Sequence, residues 1–182
     1  MKQLALALAV TGAFALTVPA FPAHANDSYE ARVTASEASR SAHDDMVATF
    51  GTDSVAPGKY LWRNVPEEAG DERVVISLGD QLAYLYRGNE LMAVASVSSG
   101  REGRESPPGV FQILSKTPMH RSKKYDNAPM PFAQFFTDYG IALHAGANPG
   151  YPASHGCIRL PTAFAKKLYT VTDVGTPILI GA

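Results

Sequence analysis

From Lys59 onward the chain reads as short apolar runs separated by turn residues, the pattern of strands rather than helices. Arg73-Val74-Val75-Ile76-Ser77-Leu78 is apolar and β-branched. Gln81 to Arg87 and Glu90 to Ser98 flank Gly88-Asn89, and two such runs joined by two residues of this kind predict a hairpin. Val110 to Leu114 follows the turn Ser106-Pro107-Pro108-Gly109, and Tyr139 to His144 and Thr176 to Ile180 supply further strands. Pro161, at a first helical position, opens a short helix through about Tyr169, with Phe164, Ala165, Leu168 and Tyr169 on one apolar face. Many strands and one clear helix predict a mainly β domain of sandwich type.

Three segments depart from this pattern. Lys116 to Thr137 is long, carries Pro118, Pro129 and Pro131, and shows little periodicity; loops of this length inside a compact domain are usually functional or mobile. It leads directly into the strand ending at His144, which marks it as a flap over that end of the sheet. Residues 26–56 are polar and rich in Ala and Ser, and Tyr29, Val33, Met46, Val47 and Phe50 are too sparse for a core. They read as a flexible polar tether with one weak helix, ending at Pro57-Gly58, so that residues 57–182 form the folded domain. Residues 1–25 read as a secretory signal peptide: Lys2 gives the positive end, Leu4 to Val18 the apolar run, and Ala23-His24-Ala25 the cleavage site before Asn26. The run is shorter than the ~20 apolar residues that span a bilayer, and no cysteine follows it for a lipid anchor.

Composition narrows the function. Cleavage leaves about 157 of the 182 residues, enough for one domain with a core. The net charge is −1 with both signs interspersed, and no basic stripe suggests a nucleic-acid surface. There is no phosphate-binding glycine loop, internal repeat or heptad pattern. Cys157 is the single cysteine. In an oxidising compartment it cannot be half of an internal disulfide, so it is a buried bystander, an intermolecular bridge or a nucleophile.

The residues around Cys157 favour the nucleophile. If Tyr139 to His144 is extended, Tyr139, Ile141 and Leu143 face the core, while Gly140, Ala142 and His144 share a side with room for a cleft. If Cys157-Ile158-Arg159-Leu160 is extended, Ile158 and Leu160 point inward and Cys157 and Arg159 share the other face. A guanidinium and a histidine partner favour the thiolate, the attacking species. Gly156 removes a side chain before the thiol, so backbone N–H groups of His155, Gly156 and Cys157 can converge on an oxyanion, each worth roughly 3 kcal/mol. A nucleophile, a base and an oxyanion hole form the set for thioester chemistry. Other readings stand beside it: a buried structural cysteine, a zinc site from His144, His155 and Cys157 without an evident fourth ligand, and an intermolecular disulfide. Arg159 suits a substrate carboxylate or an ion pair with a loop carboxylate. His155 suits a hydrogen-bonding role inside the loop better than a catalytic one.

With these residues in view, His144 together with Ser154-His155-Gly156-Cys157-Ile158-Arg159-Leu160 resembles the signature of the L,D-transpeptidases, the YkuD-domain family of bacterial cell-wall enzymes. Ser106-Pro107-Pro108-Gly109-Val110-Phe111 resembles the family's Thr-Pro-x-Gly turn and the strand after it. His120-Arg121-Ser122, Tyr125 to Pro131 and Pro149 to Ala153 resemble a proteobacterial branch. The likeness runs from about Gly58 to the C-terminus and leaves residues 26–56 outside. It implies a mixed β-sandwich with a flap over the active-site cleft. It also implies that Cys157 is the nucleophile, that His144 is proton donor and acceptor, and that the carbonyl of Ala145 orients the histidine. Backbone support then falls to His155, Gly156 and Ala145, and substrate contacts to Arg159, Ser154, Tyr125 and Met130. No metal or cofactor is implied. The expected activity is exported and periplasmic: release of D-Ala from peptidoglycan stem peptides through a cysteine thioester, and transfer to an amine. That amine is another stem (a 3→3 cross-link), a D-amino acid or an outer-membrane protein lysine. Water as acceptor would make the protein an L,D-carboxypeptidase, and loss of turnover would leave a wall-binding module. Sensitivity to carbapenems is a further implication of the resemblance.

Overall fold

In the computed structural model, residues 26–182 are described, and the expected signal peptide lies outside them. Two sheets pack around one apolar core. The first has six strands: β1 (Tyr60–Trp62), β2 (Glu72–Ser77), β3 (Leu82–Arg87), β4 (Glu90–Ser96), β5 (Gly109–Gln112) and β10 (Pro177–Gly181), in the order β1-β4-β3-β2-β10-β5. All neighbours are antiparallel except β2 and β10. The second is β6 (Ser115–Ser122), β7 (Ala128–Phe135), β8 (Ala142–Ala145) and β9 (Ile158–Leu160), in that order, with only β8 and β9 parallel. Helix α2 (Thr162–Val171) joins β9 to β10. Pro161 caps it from just outside, one residue before the position expected. The mainly β, L,D-transpeptidase-like architecture expected from the sequence is what the chain adopts, with two α-helices among the described residues rather than one.

The core between the sheets follows the strand period. Val74 and Ile76 of β2, Leu85 of β3, Phe111 of β5 and Ile178 and Ile180 of β10 meet Leu143 of β8, Ile158 and Leu160 of β9, and Phe164 and Leu168 of α2. Burying each of these large aliphatic or aromatic side chains stabilises the fold by about 1.5–3 kcal/mol. The β3–β4 hairpin turns on Gly88 at φ 55, where a side chain would run into the Ala69 carbonyl.

Residues 29–50 correct the tether expected for 26–56. They form one helix, α1 (Tyr29–Phe50), capped by Ser28, whose Oγ accepts the Ala31 N–H at 3.2 Å, and closed by Gly51 at φ 68. Ala31, Ala35, Ala42 and Met46 lie on one stripe and pack against Val75, Leu82, Tyr84, Val94, Val110 and Leu179, the outer face of the six-stranded sheet. Tyr86 donates to Asp45 at 2.6 Å, and the Arg73 guanidinium lies 4.1 Å over the Tyr86 ring. The large residues at 29, 33 and 47 are exposed. Apart from Ser39 and Met46 the buried stripe is made of alanines, good helix formers whose small side chains let the backbone approach the sheet, and counting large residues conceals most of it.

Lys116 to Thr137 is also not a loop. β6 and β7 pair from Ser115↔Phe135 to Ser122↔Ala128 as a long hairpin. Its prolines are compatible with strands because β6 is an edge. β8 reaches β7 only at Gln134 and Phe135, so Pro129 and Pro131 lie along an open edge. The tip turns on Asp126 and Asn127 at φ 47 and 55, residue types that tolerate the left-handed region.

Candidate active site

β8 and β9 lie side by side in parallel, pairing Leu143 with Ile158 and His144 with Arg159. Register partners share a face, so Leu143 and Ile158 enter the core while His144 and Arg159 stand together on the other side. Cys157, immediately before β9, lies on that same side against Ala142, Ala133, Met130 and Phe135. The alternation read from the sequence therefore holds for His144, Cys157 and Arg159. Tyr139 differs: it is exposed and lies before β8 begins.

All three side chains line a cavity of about 960 Å³. Its floor is His144 to Ala147, Cys157 and Arg159. Its roof is the β6–β7 hairpin, through His120, Tyr125 and Met130 among others. The segment expected as a flap thus covers the cleft, as a hairpin rather than a loop.

His144 is buried, and its Nδ1 lies 2.8 Å from the Ala145 carbonyl. A carbonyl only accepts, so Nδ1 carries the proton and Nε2 keeps its lone pair. Burial lowers the His144 pKa from its ordinary 6.5; the Ala145 bond opposes this, and Arg159 and His120 add to it. Burial likewise raises the Cys157 thiol above 9, against the opposing pull of the Ala142 backbone and of Arg159. The guanidinium expected to favour the thiolate acts in that direction, but desolvation outweighs it. Both shifts favour a neutral pair, thiol and imidazole.

The loop that presents Cys157 is tied to two buried serines. Ser154 Oγ donates to the Cys157 carbonyl and accepts the Gly156 N–H at 3.1 Å. Ser106 Oγ donates to the Gly156 carbonyl at 2.7 Å and accepts the Gly100 N–H at 2.9 Å. Gly156 sits at φ 110, and a Cβ there would meet Ile141 Cδ1 at 2.8 Å. The Ser154 hydroxyl is thereby engaged within the loop, and the residue, expected to contact substrate, also lines the cavity. Ser106, noted in the sequence only as a turn residue, is what fixes Gly156.

His155 points to the roof rather than into its own loop. Its ring stacks on Tyr125 at 4.4 Å and 22°, and its Nε2 lies 3.3 Å from Arg101. Arg104 donates to the Tyr125 hydroxyl at 3.1 Å. Burial, then Arg101, Arg104 and Arg159, lowers the His155 pKa, so the ring accepts from Arg101 as a neutral imidazole. Arg101 and Arg104 escaped the sequence reading because they lie far from the Cys157 motif along the chain. Among the described residues, no three His, Cys, Asp or Glu side chains cluster to hold a metal, and no helix is long and apolar enough to cross a membrane.

A mostly β fold of two sheets with a cysteine and a histidine on adjacent strand ends under a hairpin is the frame of a known class. The family model for the L,D-transpeptidase catalytic domain (YkuD) matches residues 71–180, and the chain belongs to this family. Solved structures agree. An L,D-transpeptidase from Mycobacterium smegmatis is 21% identical with a TM-score of 0.58, over 62% of this chain and 59% of that one. One from Stackebrandtia nassauensis is 26% identical with a TM-score of 0.56, over 65% and 58%. One from Xylanimonas cellulosilytica is 27% identical with a TM-score of 0.54, over 65% and 64%. The matched region is less than two thirds of each of these chains. No curated protein matches.

Proposed function

We propose that the protein is an exported L,D-transpeptidase of the periplasm that acts on peptidoglycan stem peptides through Cys157. The observation that supports this best is the pairing of β8 with β9, which sets His144 and Cys157 on one face of a roofed cavity, with the His144 ring held by the Ala145 carbonyl.

In this reading His144 Nε2 takes the thiol proton as Sγ attacks the carbonyl between the third stem residue (diaminopimelate in a Gram-negative wall) and D-Ala. The C–N bond breaks, His144 returns the proton to the departing D-Ala amine, and a thioester remains. An amine then attacks, the C–S bond breaks, and the proton taken from the amine by His144 restores the thiol. The Gly156 amide is committed to Ser154, so the oxyanion falls to the amides of His155 and Cys157. Met130 packs near the thiol from the hairpin, and Tyr125 closes the roof over His155. The hairpin shields the thioester from water and favours amines over hydrolysis. No step in this scheme requires a metal or cofactor.

The test is mass spectrometry of stem fragments after incubation with the protein. Loss of D-Ala with gain of an amine acceptor supports transfer. Loss of D-Ala alone makes the protein a carboxypeptidase. An unchanged donor contradicts the enzyme reading. A related probe is a β-lactam of the carbapenem or penem type. The L,D-transpeptidase 3 of Mycobacterium tuberculosis, 20% identical to this chain, carries a faropenem-derived adduct. One adduct is expected here, absent from Cys157→Ala.

A further inference from the structure

Gln81 takes no part in the scheme above. It lies outside the strands, in the turn between β2 and β3 of the six-stranded sheet, whereas Cys157 belongs to the four-stranded one. Its φ is 55, a backbone conformation that glycine or asparagine adopts more easily. The side chain is buried, and both ends of its amide are used. Nε2 donates to the Leu78 carbonyl at 2.7 Å and to Ser99 Oγ at 2.8 Å, and Oε1 accepts the Ser99 N–H at 2.9 Å. The Gln81 carbonyl accepts the Val97 N–H at 2.8 Å as well. This pattern needs a donor and an acceptor at the end of a two-methylene arm. An ionised Glu has no donor, Asn is a methylene short, and Met has neither function. The Leu78 bond closes the turn on itself, but the two bonds to Ser99 reach out of it.

Ser99 lies in the segment that leaves β4, and this segment runs into the second sheet. Ser98 exchanges both backbone hydrogen bonds with Arg159 of β9, each at 3.0 Å. The Ser99 carbonyl accepts the N–H groups of Ala153 and Ser154, each at 3.0 Å, and the Arg101 N–H donates to the Ser154 carbonyl at 3.1 Å. The Gly100 N–H donates to Ser106 Oγ, the same hydroxyl that holds the Gly156 carbonyl. Residues 98–101 thus flank β9 and carry the loop that presents Cys157. Ser98 and Ser99 are buried, so a Ser99 N–H deprived of Gln81 has no water to turn to.

We infer that Gln81 is a positioning residue for the acyl-transfer site. By fixing the Ser99 peptide it sets the place of Ala153 and Ser154, and through Ser154 that of the Gly156–Cys157 segment, where the nucleophile and the oxyanion amides stand. This rests on the transpeptidase reading above. The left-handed backbone is unfavourable for a glutamine, and a glycine would make the turn with less strain. What the side chain contributes is therefore the tie to Ser99. Misplacing reacting groups by about 1 Å costs on the order of a hundredfold in rate, so a tie of this kind acts on the chemical step more than on donor binding.

The experiment measures D-Ala release from a tetrapeptide stem donor by the full chain and by two variants. Gln81→Met keeps the approximate volume and loses the hydrogen bonds, and Gln81→Gly also relaxes the turn. Rates are taken per thiol titrated in folded protein. In both variants kcat is expected to fall at least about tenfold while KM stays within about threefold. A residue that served the fold alone would lower Tm and the folded fraction and leave kcat per thiol unchanged. Unchanged kcat in both variants, with D-Ala released by the wild type, overturns the inference alone, and so does a rise in KM without a fall in kcat. If neither variant folds, hydrogen exchange on the wild type decides. The amides of Ser99, Ala153 and Ser154 are expected to be protected as strongly as those of β9, and free exchange at Ser99 or Ser154 overturns the inference. No D-Ala release by the wild type overturns the transpeptidase reading and the inference with it.

Discussion

β3, at the middle of the six-stranded sheet, is buried along its whole length, whereas β6, at the edge of the four-stranded sheet, has no buried residue. The six-stranded sheet is covered on one face by the core and on the other by α1. The four-stranded sheet shares that core on one face only, and its other face lines the cavity. There the buried residues beside the thiol are Ala133, Ala142 and Met130, with Phe135 packed against them. Packing and open space are thus divided between the sheets. The first is covered on both faces, and the second leaves one face to the cavity, where the proposed chemistry falls. Changes in the first should therefore act on stability, and changes in the second on turnover.

The largest expected effect is on the reactive side. Cys157→Ala should lower transfer by more than about a thousandfold, since it removes the single thiol of the chain and with it the proposed acyl carrier. Its circular dichroism spectrum and Tm should stay unchanged, because one half-buried sulfur is removed. A lost fold would mean that the thiol belongs to the core after all.

His144→Ala should slow turnover by about 10²–10⁴-fold. The pH dependence follows from the two burials. His144 titrates below its ordinary 6.5, so it stays neutral and able to accept the thiol proton down to more acid pH than a solvated histidine. Turnover should fall only below that ordinary value. Without His144 the thiol must ionise alone, and because burial raises its pKa, alkylation by a small reagent should need more alkaline pH than an ordinary solvated thiol does. Stopped-time alkylation followed by protein mass checks both limbs.

On the rigid side, Met46→Ala opens a cavity under α1 and should cost about 2–5 kcal/mol of stability, read by denaturant unfolding, with the activity of the folded protein unchanged. Removing residues 26–56 should expose the apolar outer face of the six-stranded sheet and give an insoluble domain. A soluble, active truncation would show that α1 is dispensable and dissolve the contrast between the sheets.

The smallest effect should come from the roof. Tyr125→Ala removes the stack on His155 and the Arg104 contact, and should raise the ratio of hydrolysis to transfer several-fold with little change in alkylation of Cys157. An unchanged ratio would place acceptor choice elsewhere.

The parts of this division that a sequence carries are those written in its period. Core-facing and cavity-facing residues alternate through Ile141 to His144 and through Cys157 to Leu160, so the faces of β8 and β9, and with them the shared side of His144 and Cys157, could be read directly. α1 was hidden because its buried stripe is mostly Ala31, Ala35 and Ala42, joined by Met46, while Tyr29, Val33 and Val47 face solvent. Burial there depends on close approach, which hydrophobicity does not record. β6 and β7 were hidden because proline argues against strands, and only the sheet order shows that their prolines lie along open edges. The roof contact joins Arg101, Arg104, Tyr125 and His155 from three separate segments, and no spacing in the chain signals it.

The central claim is that Cys157, served by His144, carries the acyl group. Its most direct test is the mass of the intact protein quenched in acid after mixing with a tetrapeptide stem donor and no amine. The account predicts one adduct equal to the donor less D-Ala, mapped to Cys157, absent in Cys157→Ala and formed slowly in His144→Ala. Release of D-Ala by Cys157→Ala at the wild-type rate would contradict it.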